Sequence, residues 1–133
     1  MGMTRSELRE IAGKILYETY ILENAKIEYD IKELIKDEMD MLNDFVYSLV
    51  SGVIEKQKDI NALANKYLID WDIDRLSKID KAILSIGIYE LMYTETPPIV
   101  AINEAIELSH KYSDDKVVKM INATLDKIYQ NEQ

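Results

Sequence analysis

Helical periodicity runs through nearly the whole chain, and it constrains the fold more than any other feature. Apolar residues recur every three to four positions, the spacing that gathers them on one face of an α-helix. No stretch alternates cleanly between apolar and polar residues, and no Asn-Gly or Asp-Gly pair is present to close a β-hairpin. Four glycines and two prolines among 133 residues leave few interruptions. The sequence therefore predicts an all-α protein.

The ends of the apolar segments predict about seven helices. The first begins with a capping box at Thr4–Glu7, where a hydroxyl and a carboxylate each satisfy a free backbone N–H. The remaining helices are expected at about 30–37, 39–56, 59–67 (capped by Asp59 or Asn61), 74–93, 100–112 and 115–129. The helix at 74–93 is apolar nearly all round in its second half, which is typical of a buried central helix. We expect one domain, residues 1–133, built as a compact bundle in two packed helical halves.

The composition excludes several kinds of chemistry. The chain has no cysteine, which rules out disulfides and thiolate metal sites, and one histidine, His110, which leaves an imidazole metal site without a second ring. There is no glycine-rich phosphate loop, and we expect neither a metal nor a cofactor. No run of about 18 apolar residues and no signal-peptide pattern occurs, so we expect a cytoplasmic protein without membrane contact.

Taken for the whole chain, the net charge of −9 argues against binding to nucleic acid. Its distribution matters more, because acids and bases are balanced in residues 1–22 and again in 110–133. The acidic excess lies in residues 23–109. A local RNA surface at the two ends therefore remains compatible with the acidic total.

The first helix has three sides: apolar, acidic and basic-aromatic. Arg5, Arg9, Gly13 and Tyr17 step along the third side at intervals of four, while Lys14 falls on the acidic flank. Proteins that bind single-stranded RNA typically combine arginines, which contact phosphates, with tyrosines, which stack on bases. The same residues are also compatible with a solvated helix flank.

Two other polar groups have competing interpretations. Glu90 falls on the apolar face of the central helix, where it is either a general acid or a structural carboxylate that pairs with a base or caps a neighbouring helix N-terminus. The structural role is favoured because no other catalytic group stands at a defined spacing. Asp70, Asp72 and Asp74 alternate like a calcium loop, but they lack its glycine and its final glutamate. Helix capping explains them better.

Five segments in the second half of the chain together resemble one known family: Trp71–Leu76, Ile79–Leu84, Tyr89–Leu91, Val100–Leu108 and Ile121–Lys127. With the first helix included, the resemblance covers nearly the whole chain. The order and spacing are similar to those of NusB, the bacterial transcription antitermination factors. Arg5 and Arg9, followed by Ile15-Leu16-Tyr17, resemble that family's arginine-rich first helix.

The resemblance implies a non-enzymatic RNA-binding module of seven helices. Such proteins bind the boxA element of ribosomal-operon leader RNA together with the ribosomal protein NusE, within the RNA polymerase elongation complex. By position it implies that RNA is contacted by six residues: Arg5, Arg9, Lys14, Tyr17, Lys119 and Met120. Asp80 matches an acidic position expected at the NusE interface, and its place near the edge of the apolar face suits a charge that needs a basic partner.

Two departures from the family pattern predict weaker RNA binding by the chain alone. Ser6 stands where a basic residue is common, and Met120 stands where an aromatic residue usually precedes the Asn motif. Both changes imply a greater dependence on NusE for positive charge. The alternative function is a helical protein–protein scaffold that does not bind RNA. The sequence leaves open whether the chain forms a homodimer.

Overall fold

The computed structural model describes residues 2–133, and these residues form six α-helices, one short 3-10 helix and no strand. The helices are α1 (Arg5–Asn24), α2 (Ile31–Met39), α3 (Asp44–Tyr67), α4 (Lys78–Tyr93), α5 (Pro98–Tyr112) and α6 (Asp115–Glu132), with the 3-10 helix at Ile73–Arg75. The all-α prediction is confirmed. The count is six rather than about seven.

The difference in count arises because the predicted third and fourth helices form one continuous helix, α3. Asp59 and Asn61, expected to cap a separate helix, lie inside it. No proline or glycine interrupts residues 53–67, and the Gln57 side chain donates to Asn61 one turn later, at 2.8 Å. Asp59 and Asn61 are of residue types that often cap helices, but here they lie in the interior of a helix.

Side-chain caps fix where most helices begin. The Thr4 capping box is present in full, with the Glu7 backbone N–H donating to the Thr4 hydroxyl and the Thr4 N–H donating to the Glu7 carboxylate. Asp72 accepts from the Asp74 N–H at 2.8 Å, which confirms capping at the Asp70–Asp74 segment. This capped turn is the 3-10 helix, so α4 begins at Lys78 after its own cap, Ser77.

The helices pack as two halves, α1–α3 and α4–α6. Helix α4 belongs to the second half and forms most of the contact with the first. Helix α4 contacts α1 and α3 on one side and α5 and α6 on the other. Ten of its sixteen residues are buried, which confirms the prediction of a central helix. Gly52 of α3 faces Tyr89 of α4 so closely that an added Cβ would overlap the tyrosine ring.

Among residues 2–133, no helix is long and apolar enough to cross a membrane.

Candidate nucleic-acid interface

Helix α1 packs against α2, α3 and α4, and its side chains also bind α5; this packing decides which of its polar side chains reach the surface. Lys14 and Tyr17 are exposed, Tyr17 to 42%. They share the outward side of the helix with Glu10 and Ile21. A lysine and a tyrosine three positions apart therefore form the exposed basic-aromatic part of α1.

Arg5 is the free arginine of α1. It is exposed, and within residues 2–133 no carboxylate lies within ion-pairing distance of it. Its guanidinium Cζ lies 4.0 Å from the centroid of the Phe45 ring in α3. The cation–π contact holds the side chain in place, while its charge stays available to a phosphate.

Arg9 points inward instead. Its side chain is 8% exposed and makes a two-pronged contact with Glu90 of α4, at 2.7 Å from Nε to Oε1 and 2.9 Å from Nη2 to Oε2. Its third nitrogen donates to Glu104 of α5 at 2.8 Å. The basic-aromatic flank that the sequence suggests is therefore split, because α4 and α5 cover its middle.

Two hydrogen bonds nearer the surface extend the buried ion pair. The Ser6 hydroxyl donates to Glu104, and the Thr96 hydroxyl donates to Glu90 at 2.9 Å. Burial acts to lower the pKa of Arg9, but the hydrogen bonds and charges of the two glutamates outweigh it, so the pKa is raised and the guanidinium stays charged. The pairing of Glu90 with a base is confirmed, and the base is Arg9.

The outer flank of α1 is tied to the end of α5. The Lys111 ammonium lies 3.0 Å from a Glu10 oxygen, and the Tyr112 hydroxyl donates to the other oxygen of the same carboxylate. The hydrogen bond from Tyr112 and then that from Lys111 lower the pKa of Glu10, and the bond to Glu10 raises the pKa of Tyr112 to about 12. Since the Glu10 pKa is lowered on folding, its contribution to stability is present at neutral pH and lost on acidification.

The C-terminal residues predicted to contact RNA lie on α6. Lys119 is exposed, and Met120 is half-buried against the core. Helix α6 begins two residues after Ser113, which directly follows Tyr112, so its first turns continue from the end of α5 that contacts α1.

Asp80 lies in the first turn of α4 and is 8% exposed. Its carboxylate accepts a hydrogen bond from the Ser113 hydroxyl, and among residues 2–133 no base lies within ion-pairing distance. Position at a helix N-terminus favours a negative charge without a paired cation. The basic partner expected for Asp80 is therefore not found among residues 2–133.

Phe45 was not among the residues that the sequence singled out. It is the one phenylalanine of the chain, and it lies under Arg5 with Arg9 at 5.4 Å from the same ring. Forty residues separate it from Arg5, so no spacing rule within one helix links the two. Only the docking of α3 on α1 brings them together.

The fold is that of a small helical protein of the NusB type. The Thermotoga maritima NusB crystal structure matches it with a TM-score of 0.84 at 25% identity, covering 98% of this chain and 94% of that one. A crystal structure of the antitermination factors NusB and NusE in complex with double-stranded RNA matches with a TM-score of 0.78 at 24% identity, covering 96% of this chain and 98% of that chain.

Sequence comparison is more specific. The model of the NusB family matches residues 6–130. The transcription antitermination protein NusB of Macrococcus caseolyticus is 37% identical over 132 residues, covering 98% of this chain and 99% of that protein. The chain belongs to the NusB family.

Proposed function

We propose that this chain acts in transcription antitermination by binding boxA-type single-stranded RNA together with NusE, within the RNA polymerase elongation complex. The observation that carries the proposal is the full-length match to transcription antitermination proteins, combined with an exposed arginine, lysine and tyrosine on α1. The role is that of a non-catalytic binding factor, with residues 1–133 acting as one RNA-binding domain. Such a factor works where transcription takes place, in the cytoplasm of a bacterium.

The RNA contacts that we propose follow the exposed side chains. Arg5, Lys14 and Lys119 are placed to meet phosphates, and Tyr17 to stack on a base, with the Met120 thioether covering a base less effectively than an aromatic ring. Arg9 has a different role in this proposal. Because its charge is neutralised by two glutamates, it holds the first turns of α1 in position and does not bind phosphate directly.

NusE supplies the positive charge that this chain lacks. With a net charge of −9, the chain repels a polyanion at long range, and a basic partner offsets that repulsion. The structural neighbour that contains NusE and RNA suggests the same pairing for this chain. We propose that Asp80, which has no cation of its own, lies at the surface that NusE covers.

Fluorescence anisotropy of a labelled boxA-type RNA tests the proposal. The RNA is titrated with this chain alone, with NusE alone and with both. We expect the mixture to bind at least tenfold more tightly than either protein, and scrambling the RNA sequence to abolish the gain. If the folded chain binds NusE but adds nothing to RNA affinity, it is a protein scaffold with this fold.

The salt dependence of binding separates direct from indirect arginine contacts. Arg5→Gln is expected to weaken RNA binding and to reduce the slope of log affinity against log salt by about 1, because one phosphate contact is lost. Arg9→Gln is expected to weaken binding without changing that slope. A reduced slope for Arg9→Gln would instead place its guanidinium on a phosphate in the complex.

A further inference from the structure

An open groove of about 660 Å³ lies where the start of α1 meets the turn between α2 and α3. Met3, Leu42 and Phe45 give it apolar walls, and Arg5, Asp44 and Ser48 provide its polar groups. Met3 is 46% exposed and Leu42 39%, so this apolar surface faces solvent.

The Arg5–Phe45 pair forms a flat platform in this groove. At 4.0 Å from the ring centroid, the guanidinium lies over the Phe45 ring, and the inward-facing Arg9 is close to the same ring at 5.4 Å. Arg9 is fixed by Glu90 and Glu104, so the residue behind the platform has little freedom to move. The ring is half-buried, and Arg5 is exposed.

We propose that this groove holds one unstacked nucleobase of the bound RNA, which stacks on the outer face of the Arg5 guanidinium. The inference rests on the proposed RNA-binding function and adds a subsite to it. Planar guanidinium groups and aromatic rings are the surfaces on which proteins stack single-stranded bases. Stacking leaves the N–H edges of Arg5 free for a neighbouring phosphate.

The polar groups of the groove suggest which base it takes. The Asp44 carboxylate is exposed and unpaired within residues 2–133, and it can accept a hydrogen bond from an exocyclic amino group. Adenine, cytosine and guanine carry such a group, whereas uracil does not. The Ser48 hydroxyl can donate or accept. The groove therefore favours an amino-bearing base over uracil.

Two substitutions remove the stacking surface without changing net charge. Phe45→Leu keeps an apolar side chain but removes the ring, and Arg5→Lys keeps the charge but removes the plane. With NusE present, we expect each to weaken binding of boxA-type RNA about tenfold, in line with the loss of one stacked base, and to leave the salt slope unchanged. Thermal unfolding checks that both variants are folded.

Tyr129→Leu is the matched control. Tyr129 is an exposed aromatic residue near the end of α6, close to Glu132, which binds Lys66 and Tyr67 at the far end of α3. The length of α3 places that end roughly 35 Å from Phe45. RNA affinity of this variant is expected to equal that of the unaltered chain.

An abasic scan of the RNA identifies the base. Each nucleotide is replaced in turn by an abasic one, and binding is measured with the unaltered chain and with Phe45→Leu. At one position, normally A, C or G, we expect the abasic RNA to bind about tenfold more weakly and Phe45→Leu to cause no further loss. Restoring that position with uracil should recover only part of the affinity.

Three results would overturn the inference. Unchanged affinity in both variants would show that the groove is empty in the complex. An equal loss on every abasic RNA would assign Phe45 to folding alone, and a loss of NusE binding would make the groove a protein contact. If the unaltered chain with NusE binds no boxA RNA, the proposed function itself fails, and the inference fails with it.

Discussion

At the scale of single residues, Arg9 shows what a sequence can and cannot predict. Its position on α1 aligns it with Arg5 and Tyr17, and on an isolated helix all three would face one flank. The structure buries Arg9 because α4 and α5 pack over the middle of that flank. Sequence reasoning did predict that Glu90 is paired with a base. It could not say which base, since the partner lies 81 residues away.

Replacing Arg9 with methionine is expected to lower the free energy of unfolding by about 3–5 kcal/mol, because the Glu90 carboxylate then stays buried without a cation. Urea unfolding measures the effect. Arg75→Met, which alters an exposed arginine stacked on Trp71, should cost less than about 1 kcal/mol. The double variant Arg9→Met/Glu90→Leu should recover most of the loss. Equal stability of Arg9→Met and the unaltered chain would refute the role of the pair.

At the scale of helices, the sequence predicted type and position well and boundaries less well. Capping residues such as Thr4 give reliable starts because their hydrogen bonds are local. Asp59 and Asn61 have the same chemistry, yet α3 continues through them, since it has buried residues both before and after them and packs on α1 and α4. Tertiary packing decided the outcome there. Packing also explains Gly52, which lets α3 approach α4 closely because Tyr89 lies directly on it.

Two glycine substitutions test this packing against helix propensity. Gly52→Ala is expected to destabilise the fold by about 1–3 kcal/mol, because its methyl group would overlap the Tyr89 ring. Gly13→Ala meets Leu108 and Ile86 at 3.8 and 3.9 Å, ordinary contact distances, and is expected to stabilise by about 0.5–1 kcal/mol. Chemical denaturation of both variants measures the difference. Stabilisation by Gly52→Ala would show that the two helices can separate at no cost.

At the scale of the whole molecule, the strong acidity limits stability as well as RNA binding. Sixteen bases face 25 acids, and like charges repel one another more in the compact state than in the unfolded chain. The proposed RNA contacts lie on α1 and at the start of α6, and the proposed base groove adds the start of α3. The charge distribution is compatible with contacts on α1 and α6, because acids and bases balance at the two ends of the chain.

Raising the salt concentration from about 0.02 to 0.3 M at pH 7 is expected to raise the melting temperature by roughly 2–4 °C, since screening weakens this repulsion. Differential scanning calorimetry measures the shift. The same change in salt near the isoelectric pH should have little effect, because the net charge there is close to zero. A fall in melting temperature at pH 7 would mean that the surface ion pairs outweigh the repulsion.

The buried partners of Arg9 also set an order of events during protein synthesis. Helix α1 leaves the ribosome first, but Glu90 and Glu104 follow 81 and 95 residues later. Until then the Arg9 guanidinium has neither carboxylate, and the first helix has no α4 or α5 to dock against. Helix α1 is therefore synthesised before α4 and α5, but it reaches its final position only after both have emerged. A nascent chain that still lacks its C-terminal half does not yet have the assembled candidate RNA surface.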